Sequence, residues 1–426
     1  MRIYIKKNTD YYYPILYVFK IIEKNRNLEF EYVKNSNDAD IFFDYGKKNS
    51  EDFSINFFKH IKSNPNALSH ENIFPHSLMI YDEKGNEDII STIFYLVNCL
   101  QELSTNEKDL DKFGRFKFSQ SYQYKYKNIK ENFVEKLINR FCEKYLINGS
   151  KNKSRFFISH DIDKIYGSML QDSYWALKQM NFKALMIIMM CEFSKKPHWK
   201  NIDKILSING MHDIRSTFFW LVNYGYGKDG VENADYKINE EEPLLDAVIK
   251  QNGFNGLHKS SSDMELDQEF EKGGFNSPIC RYHYLKFSCK NDWDSISNSS
   301  IAFDSSLGFA EQYGFRNSYG KSYQPFDIKQ NKPYDFIETP LNFMDTTFDK
   351  YMKIPVNKIA DIVIKFYEEN PKNCDISLLW HNTYFTDFKY NSFIDEYKKI
   401  IGFIYENKIE CVNAIDLINE NKLTWP

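Results

Sequence analysis

Cysteine is scarce and unpatterned in this chain. The 426 residues hold seven, an odd number, with no Cys-x-x-Cys pair and only Cys280 and Cys289 close together. That spacing excludes a zinc knot or a disulfide framework and predicts reduced, mostly buried thiols. No long block of one charge sign occurs, and the net charge is −4, so the basic footprint that phosphate backbones require is missing and nucleic acid is excluded as the main partner. No apolar run approaches the roughly 20 residues needed to cross a bilayer. The longest, residues 184–191, reads as a buried or partner-facing helix, so no transmembrane segment is expected. Residues 1–7 lack the basic-then-apolar layout of a secretion signal, which predicts cytoplasmic residence.

What is present is an ordinary globular balance, 42% hydrophobic and 27% charged, with an excess of aromatics at 17%. A sugar-binding surface would use such residues. Asn, Lys, Ile, Tyr and Phe also rise together through codon bias, and composition favours that plainer reading. Residues 1–103 pattern as a small α/β unit, with strands near 3–5, 30–33 and 41–45 and helices over 13–22 and 87–103. Residues 104–154 form a polar linker with one helix over 133–145, closed by Asn148-Gly149-Ser150-Lys151-Asn152-Lys153-Ser154. From 155 to 426, strand patterns at 155–160, 216–222, 254–258, 279–287, 300–304, 336–344, 376–381 and 409–413 alternate with helical patterns at 168–193, 200–210, 241–251, 263–273, 355–369 and 392–407. Such alternation predicts a βα-repeat domain built on a parallel sheet or barrel.

In barrels the reacting groups sit at the C-terminal ends of the strands. Asp161, His258, His283, Asp304 and His381 all fall at or near such ends. Asp161 and Asp163, two residues apart, project to one side of a strand end. There one carboxylate can hold a divalent ion while the other activates its water; a turn-capping pair is the plainer alternative. His258 follows Gly256-Leu257, where glycine permits close approach, and imidazole beside carboxylate suits zinc, iron, cobalt or nickel. Arg281 and His283 share a face by the same spacing, and a guanidinium fork can orient the base Asp. His381, in Leu379-Trp380-His381-Asn382, can donate a proton to a leaving group, with Asp304 or Asp345 holding its ring. Tyr282, Tyr284, Trp293, Trp380 and Tyr384 are candidates for stacking on sugar rings.

In order, these segments resemble the polysaccharide deacetylase (NodB-homology, carbohydrate esterase family four) superfamily, in a divergent bacterial branch with an N-terminal α/β domain. The resemblance rests on Ser159-His160-Asp161-Ile162-Asp163, Ser216-Thr217-Phe218-Phe219, Gly256-Leu257-His258 and Arg281-Tyr282-His283-Tyr284-Leu285. It continues in Asp304-Ser305-Ser306-Leu307-Gly308-Phe309, Gly314-Phe315-Arg316, Leu379-Trp380-His381-Asn382 and the linker piece Asp111-Lys112-Phe113-Gly114-Arg115-Phe116. It implies an α/β fold, a distorted (β/α)7-type barrel preceded by a small α/β N-terminal domain. It implies one divalent metal, zinc first with cobalt, nickel, iron or manganese as alternatives, and an N-acetylated sugar or cell-envelope glycan as substrate. By position, Asp161 is the general base, Asp163 and His258 are metal ligands, Arg281 orients the base, and His381 is the general acid. The family's usual second motif carries a second histidine four residues after the first, where this chain has Ser262. His283 is the favoured replacement ligand, with Asp263 and His160 as alternatives. Asp161 and Asp163 also replace adjacent aspartates, so their roles can be exchanged. The backbone N–H of Tyr282 is the expected oxyanion donor. A glycosidase, or a non-catalytic carbohydrate-binding protein on the same barrel, is the alternative.

Overall fold

A computed structural model describes residues 1–227, 229–386 and 388–426. Three short strands, β1 (Arg2–Ile5), β2 (Glu31–Tyr32) and β3 (Ile41–Phe43), pair in parallel in the order β2–β1–β3. The helix Tyr12–Arg26 covers them, burying Ile15, Phe19 and Ile22.

The larger sheet is built from β4 (Arg155–Ile162), β5 (Thr217–Leu221), β6 (Phe254–Lys259), β7 (Ile279–Tyr282), β8 (Phe303–Asp304), β9 (Ile337–Glu338), β10 (Leu341–Met344), β11 (Asp375–Leu379) and β12 (Cys411–Val412). Eight run in the order β9–β8–β7–β6–β5–β4–β11–β10, and β12 pairs with β4. Every pairing is parallel, and the sheet curls as in a (β/α)-type barrel. The edge strands β9 and β10 are separated only by Thr339 and Pro340, a proline that cannot donate to a ladder.

Strands buried on both faces read as nearly continuous apolar runs, and β4 is buried along its whole length. Alternation then sorts its side chains. Phe157 packs with Phe219, Ile279, Phe303 and Ile337 from the neighbouring strands, and with the C-terminal helix Ala414–Asn421, in one apolar cluster. Phe156, Ile158 and Ile162 join the main core, which also takes in Ile3, Ile15 and Phe94 of the N-terminal region. Asp161 shares the Phe157 face and lies four residues further on. Gly256 serves a close approach, since a Cβ there would meet the Ile279 carbonyl oxygen at 2.8 Å.

Several predicted elements differ in extent, the helix over 87–103 spanning Ile89–Val97 and the strand over 300–304 only Phe303–Asp304. The helix predicted over 168–193 is two, Met169–Lys178 and Phe182–Phe193. Met180 takes φ 52° between them, and the Asn181 side chain caps the second by accepting from the Ala184 N–H at 3.0 Å. The strand predicted over 279–287 ends at Tyr282, because Tyr284 and Leu285 adopt φ 58° and 50° and turn the chain. The strand predicted over 336–344 is split at Pro340 into β9 and β10.

Candidate metal and acid–base site

The C-terminal ends of β4, β6 and β7 bring two carboxylates, two imidazoles and a guanidinium together. Asp163 Oδ1 lies 3.4 Å from His258 Nε2 and 3.6 Å from His283 Nε2. Candidate ligand atoms of these three residues all fall within 4.8 Å of one another. Asp161 Oδ2 is 3.5 Å from the same His258 Nε2. His258 Nδ1 sits 2.9 Å from the Arg281 carbonyl oxygen. A carbonyl only accepts, so Nδ1 carries a proton there and Nε2 is the nitrogen turned to the carboxylates. Buried atoms left without a hydrogen-bond partner include Asp163 Oδ1, His258 Nε2 and His283 Nδ1. Buried polar atoms left unpaired are costly, and a cation held between Asp163 Oδ1 and His258 Nε2 would relieve that cost. One carboxylate with two imidazoles is a donor set that fits a catalytic divalent ion with an open position.

Asp161 is fixed from its other oxygen. Arg281 Nη1 donates to Asp161 Oδ1 at 2.9 Å and to Ser159 Oγ at 2.9 Å. Its Nε and Nη2 donate to the Ser305 carbonyl at 2.9 Å and Ser305 Oγ at 3.1 Å. The guanidinium is fully buried and stacks 4.4 Å from the centroid of Phe219. Every arm of the fork is therefore engaged, and the Asp161 carboxylate has one orientation.

His381 faces the cluster from the end of β11, its Nε2 3.8 Å from Asp163 Oδ2. Its Nδ1 lies 2.6 Å from Asp345 Oδ1, and its backbone N–H donates to Asp345 Oδ2 at 2.5 Å. Burial opposes charging this ring, but the Asp345 carboxylate, joined by those of Asp163 and Asp161, outweighs it and the pKa is pushed up to about 9. His381 is thus an imidazolium at neutral pH, with Nε2–H directed at the cluster. Burial likewise disfavours the charged Asp163, yet the surrounding imidazoles, His283 foremost, hold its carboxyl well below the usual range.

These groups line a cavity of about 490 Å³ whose wall comes partly from the linker, through Asp111, Lys112, Phe113 and Arg115. Asp111 Oδ1 accepts from the Phe113 and Arg115 N–H groups at 2.9 and 3.0 Å, folding the segment into a tight turn through Gly114, which has φ 79°. Arg115 is buried and bonds Asp111 Oδ2 through Nε at 2.8 Å, the Tyr284 carbonyl through Nη1 at 2.8 Å and Tyr351 Oη through Nη2 at 3.0 Å. Two consecutive non-glycine residues in the left-handed region, Tyr284 and Leu285, cost of order 1–3 kcal/mol each. Arg115 and the Phe113 ring, 5.5 Å from that of Tyr284, brace this turn directly after His283.

Of the residues singled out in the sequence, Asp161, Asp163, His258, Arg281, His283 and His381 come together here. Asp304 does not: it is fully buried, accepts from Cys280 Sγ at 3.2 Å and Ser306 Oγ at 2.7 Å, and is absent from the cavity wall. Asp345 is the residue on the His381 ring. His160 points away from the barrel interior, with Nδ1 at the Trp380 carbonyl and Nε2 near Asn209. Burial pushes its pKa down to about 4. Ser262 donates to Glu269, and Asp263 lies with it along a separate groove. The Tyr282 N–H is already given to Ser306 Oγ at 2.9 Å, so the expected oxyanion donor is occupied. Trp293 and Trp380 are buried in the core, Tyr282 is buried beside Phe287, and only Tyr284 and Tyr384 of the five aromatics line the cavity. Sequence reasoning gave no chemical role to Asp111, Phe113, Arg115 or Tyr351. The Asp111–Phe116 piece was visible as a motif, but its partners lie about 170 and 235 residues away.

Residues 1–148, which include that wall, match the model of a family of unknown function, DUF7033. No curated protein matches the chain. Among solved structures, a Mycobacterium smegmatis protein assigned to the polysaccharide deacetylases aligns at 11% identity and a TM-score of 0.40, over 65% of this chain and 96% of its own. The Bc1960 peptidoglycan N-acetylglucosamine deacetylase aligns at 12% and 0.32, over 64% and 93%. BA3943 of Bacillus anthracis, a CE4 family pseudoenzyme, aligns at 12% and 0.30, over 65% and 69%. Similarity at such scores carries no functional weight.

Proposed function

We propose that this chain is a metal-dependent hydrolase that removes an N-acetyl or similar acyl group from an amino sugar or glycan. The observation that carries the reading is the convergence of Asp163, His258 and His283, with Asp163 Oδ1 and His258 Nε2 buried and unpartnered, flanked by an arginine-clamped carboxylate and a buried imidazolium. His283 takes the ligand role that Ser262 leaves open. With this reading goes a distorted (β/α)7 barrel in which β9 and β10 are halves of one strand position.

A divalent ion held by Asp163, His258 and His283, zinc by preference, would supply Lewis-acid polarisation of the acyl carbonyl and acidify a water. Asp161 accepts a proton from the water as its oxygen adds to the acyl carbon, and Arg281 keeps that carboxylate aimed. His381 passes its Nε2 proton to the amine nitrogen as the C–N bond breaks, and Asp345 holds the ring in the required tautomer. The products are the free amino sugar and a carboxylate. Tyr284, Tyr384 and Phe113 offer rings on which a sugar can stack.

The test is acetate release from a panel of N-acetylated oligosaccharides and sugar nucleotides by metal-loaded protein. Asp161→Asn should lower the rate by about 10²–10⁴-fold while still taking up metal. A purified chain that stays metal-free after reconstitution yet binds glycan would overturn the reading in favour of a non-catalytic binder.

A further inference from the structure

The two helices after β4 are built the wrong way round for a solvent-facing hairpin. In Met169–Lys178 the buried positions are Asp172 and Ala176, while Leu170, Tyr174 and Leu177 point outward. In Phe182–Phe193 the buried positions are Ala184 and Ile188, while Phe182, Met186, Met190 and Phe193 point outward. Each set recurs at helical spacing, so each helix exposes an apolar stripe. Leu170 is 82% and Phe193 83% exposed. Such stripes on neighbouring helices form a contiguous patch, which marks an interaction site.

Charge decides what covers it. Lys178, Lys183, Lys195, Lys196 and Lys200 surround the stripes, all exposed and none in an ion pair among the described residues. The same stretch holds only two acids, Asp172, which is buried, and Glu192, in a chain of net charge −4. A symmetric contact between two copies would set these lysines against each other. A sheet of anionic headgroups over an apolar interior complements both the stripes and the rim. The helices have 10 and 12 residues, and no helix of the described residues is long and apolar enough to cross a membrane, so they suit the interface plane.

We propose that the hairpin 169–193 docks this protein onto an anionic lipid bilayer. It does so at the catalytic end of the barrel. The base of the hairpin packs on Trp199, whose ring lies 5.6 Å from Phe388 and 6.4 Å from Tyr390. Tyr390 stacks at 4.3 Å on Tyr384, a wall residue of the cavity. Docking therefore brings the cavity to the lipid surface, and it stands whether or not the hydrolase reading does.

Flotation of the full chain with vesicles tests this, using equal parts phosphatidylcholine and phosphatidylglycerol against phosphatidylcholine alone. The protein should float with the anionic vesicles and be released by high salt. A triple change, L170S with F182S and F193S, should abolish flotation with an unchanged thermal melt. K195Q with K196Q should weaken binding more than tenfold, at about fivefold per lysine. Failure of the parent to bind anionic vesicles at low salt overturns the proposal. So does a parent dimer in light scattering that the triple change converts to monomer, since the stripes would then cover a second copy.

Discussion

Replacing Asp345 with asparagine isolates the shortest charged pairing of the site. The carboxylate lies 2.6 Å from His381 Nδ1, and the ring is only 12% exposed, so water screens the pair little. Burial alone would lower the pKa of His381; the carboxylates around it, Asp345 foremost and then Asp163 and Asp161, raise it from 6.5 to about 9. That interval corresponds to about 3 kcal/mol of preference for the charged ring in the folded protein. Because the folded pKa lies above the unfolded one, the stabilisation is complete below about pH 6.5 and is lost as the pH climbs through about 9. Metal-free Asp345→Asn protein should be less stable than the metal-free parent by about 3 kcal/mol at about pH 6, with most of the gap gone by about pH 10. Urea melts at the two pH values measure the gap, and an NMR titration of the His381 ring follows its cause. In turnover, the alkaline limb should move down by more than two pH units, costing about thirtyfold in rate near pH 8. An equal gap at both pH values, or a His381 midpoint still near 9 in the variant, would refute the assignment.

Two further outcomes follow from the packing around the site. Arg115→Ala removes the brace on the turn after His283 and should weaken divalent-metal affinity by about 10- to 100-fold, read by competition with a chromophoric chelator. Lysine there should not restore it, because a single ammonium cannot bond Asp111, Tyr284 and Tyr351 as the fork does. Gly167→Ala places a Cβ 2.2 Å from the Trp199 ring at a backbone φ of 74°. It should lower stability by about 1–3 kcal/mol in a thermal melt; an unchanged melting temperature would show that the Trp199 cluster yields freely.

Much of the site was legible because its residues end strands, and strand ends can be read from local pattern. The two-residue spacing of Asp161 and Asp163 predicted that both carboxylates project to one side, which is where His258 Nε2 stands, 3.5 and 3.4 Å from them, and the same spacing paired Arg281 with His283. It worked for His283 although β7 stops one residue earlier, because the following turn keeps the imidazole inward. The same logic failed for Asp304. It too ends a strand, but Ser306 and Cys280 engage its oxygens within the protein. Nothing local distinguishes an aspartate that reaches the cavity from one satisfied beneath it. The choice between Asp304 and Asp345 as the partner of His381 was equally invisible, since it depends on the register of β10 against β11.

The sequence by itself determined the alternation of strands and helices, the parallel sheet, and the order in which carboxylate, imidazole and guanidinium arrive at one rim. These follow from periodicity and side-chain chemistry, which are local. Tertiary structure alone decided that Asp111, Lys112, Phe113 and Arg115 wall the cavity, that Asp345 and not Asp304 holds the His381 ring, and that two apolar stripes face outward. Each of those depends on which distant surfaces meet as the chain closes on itself, and no window of neighbouring residues contains that information.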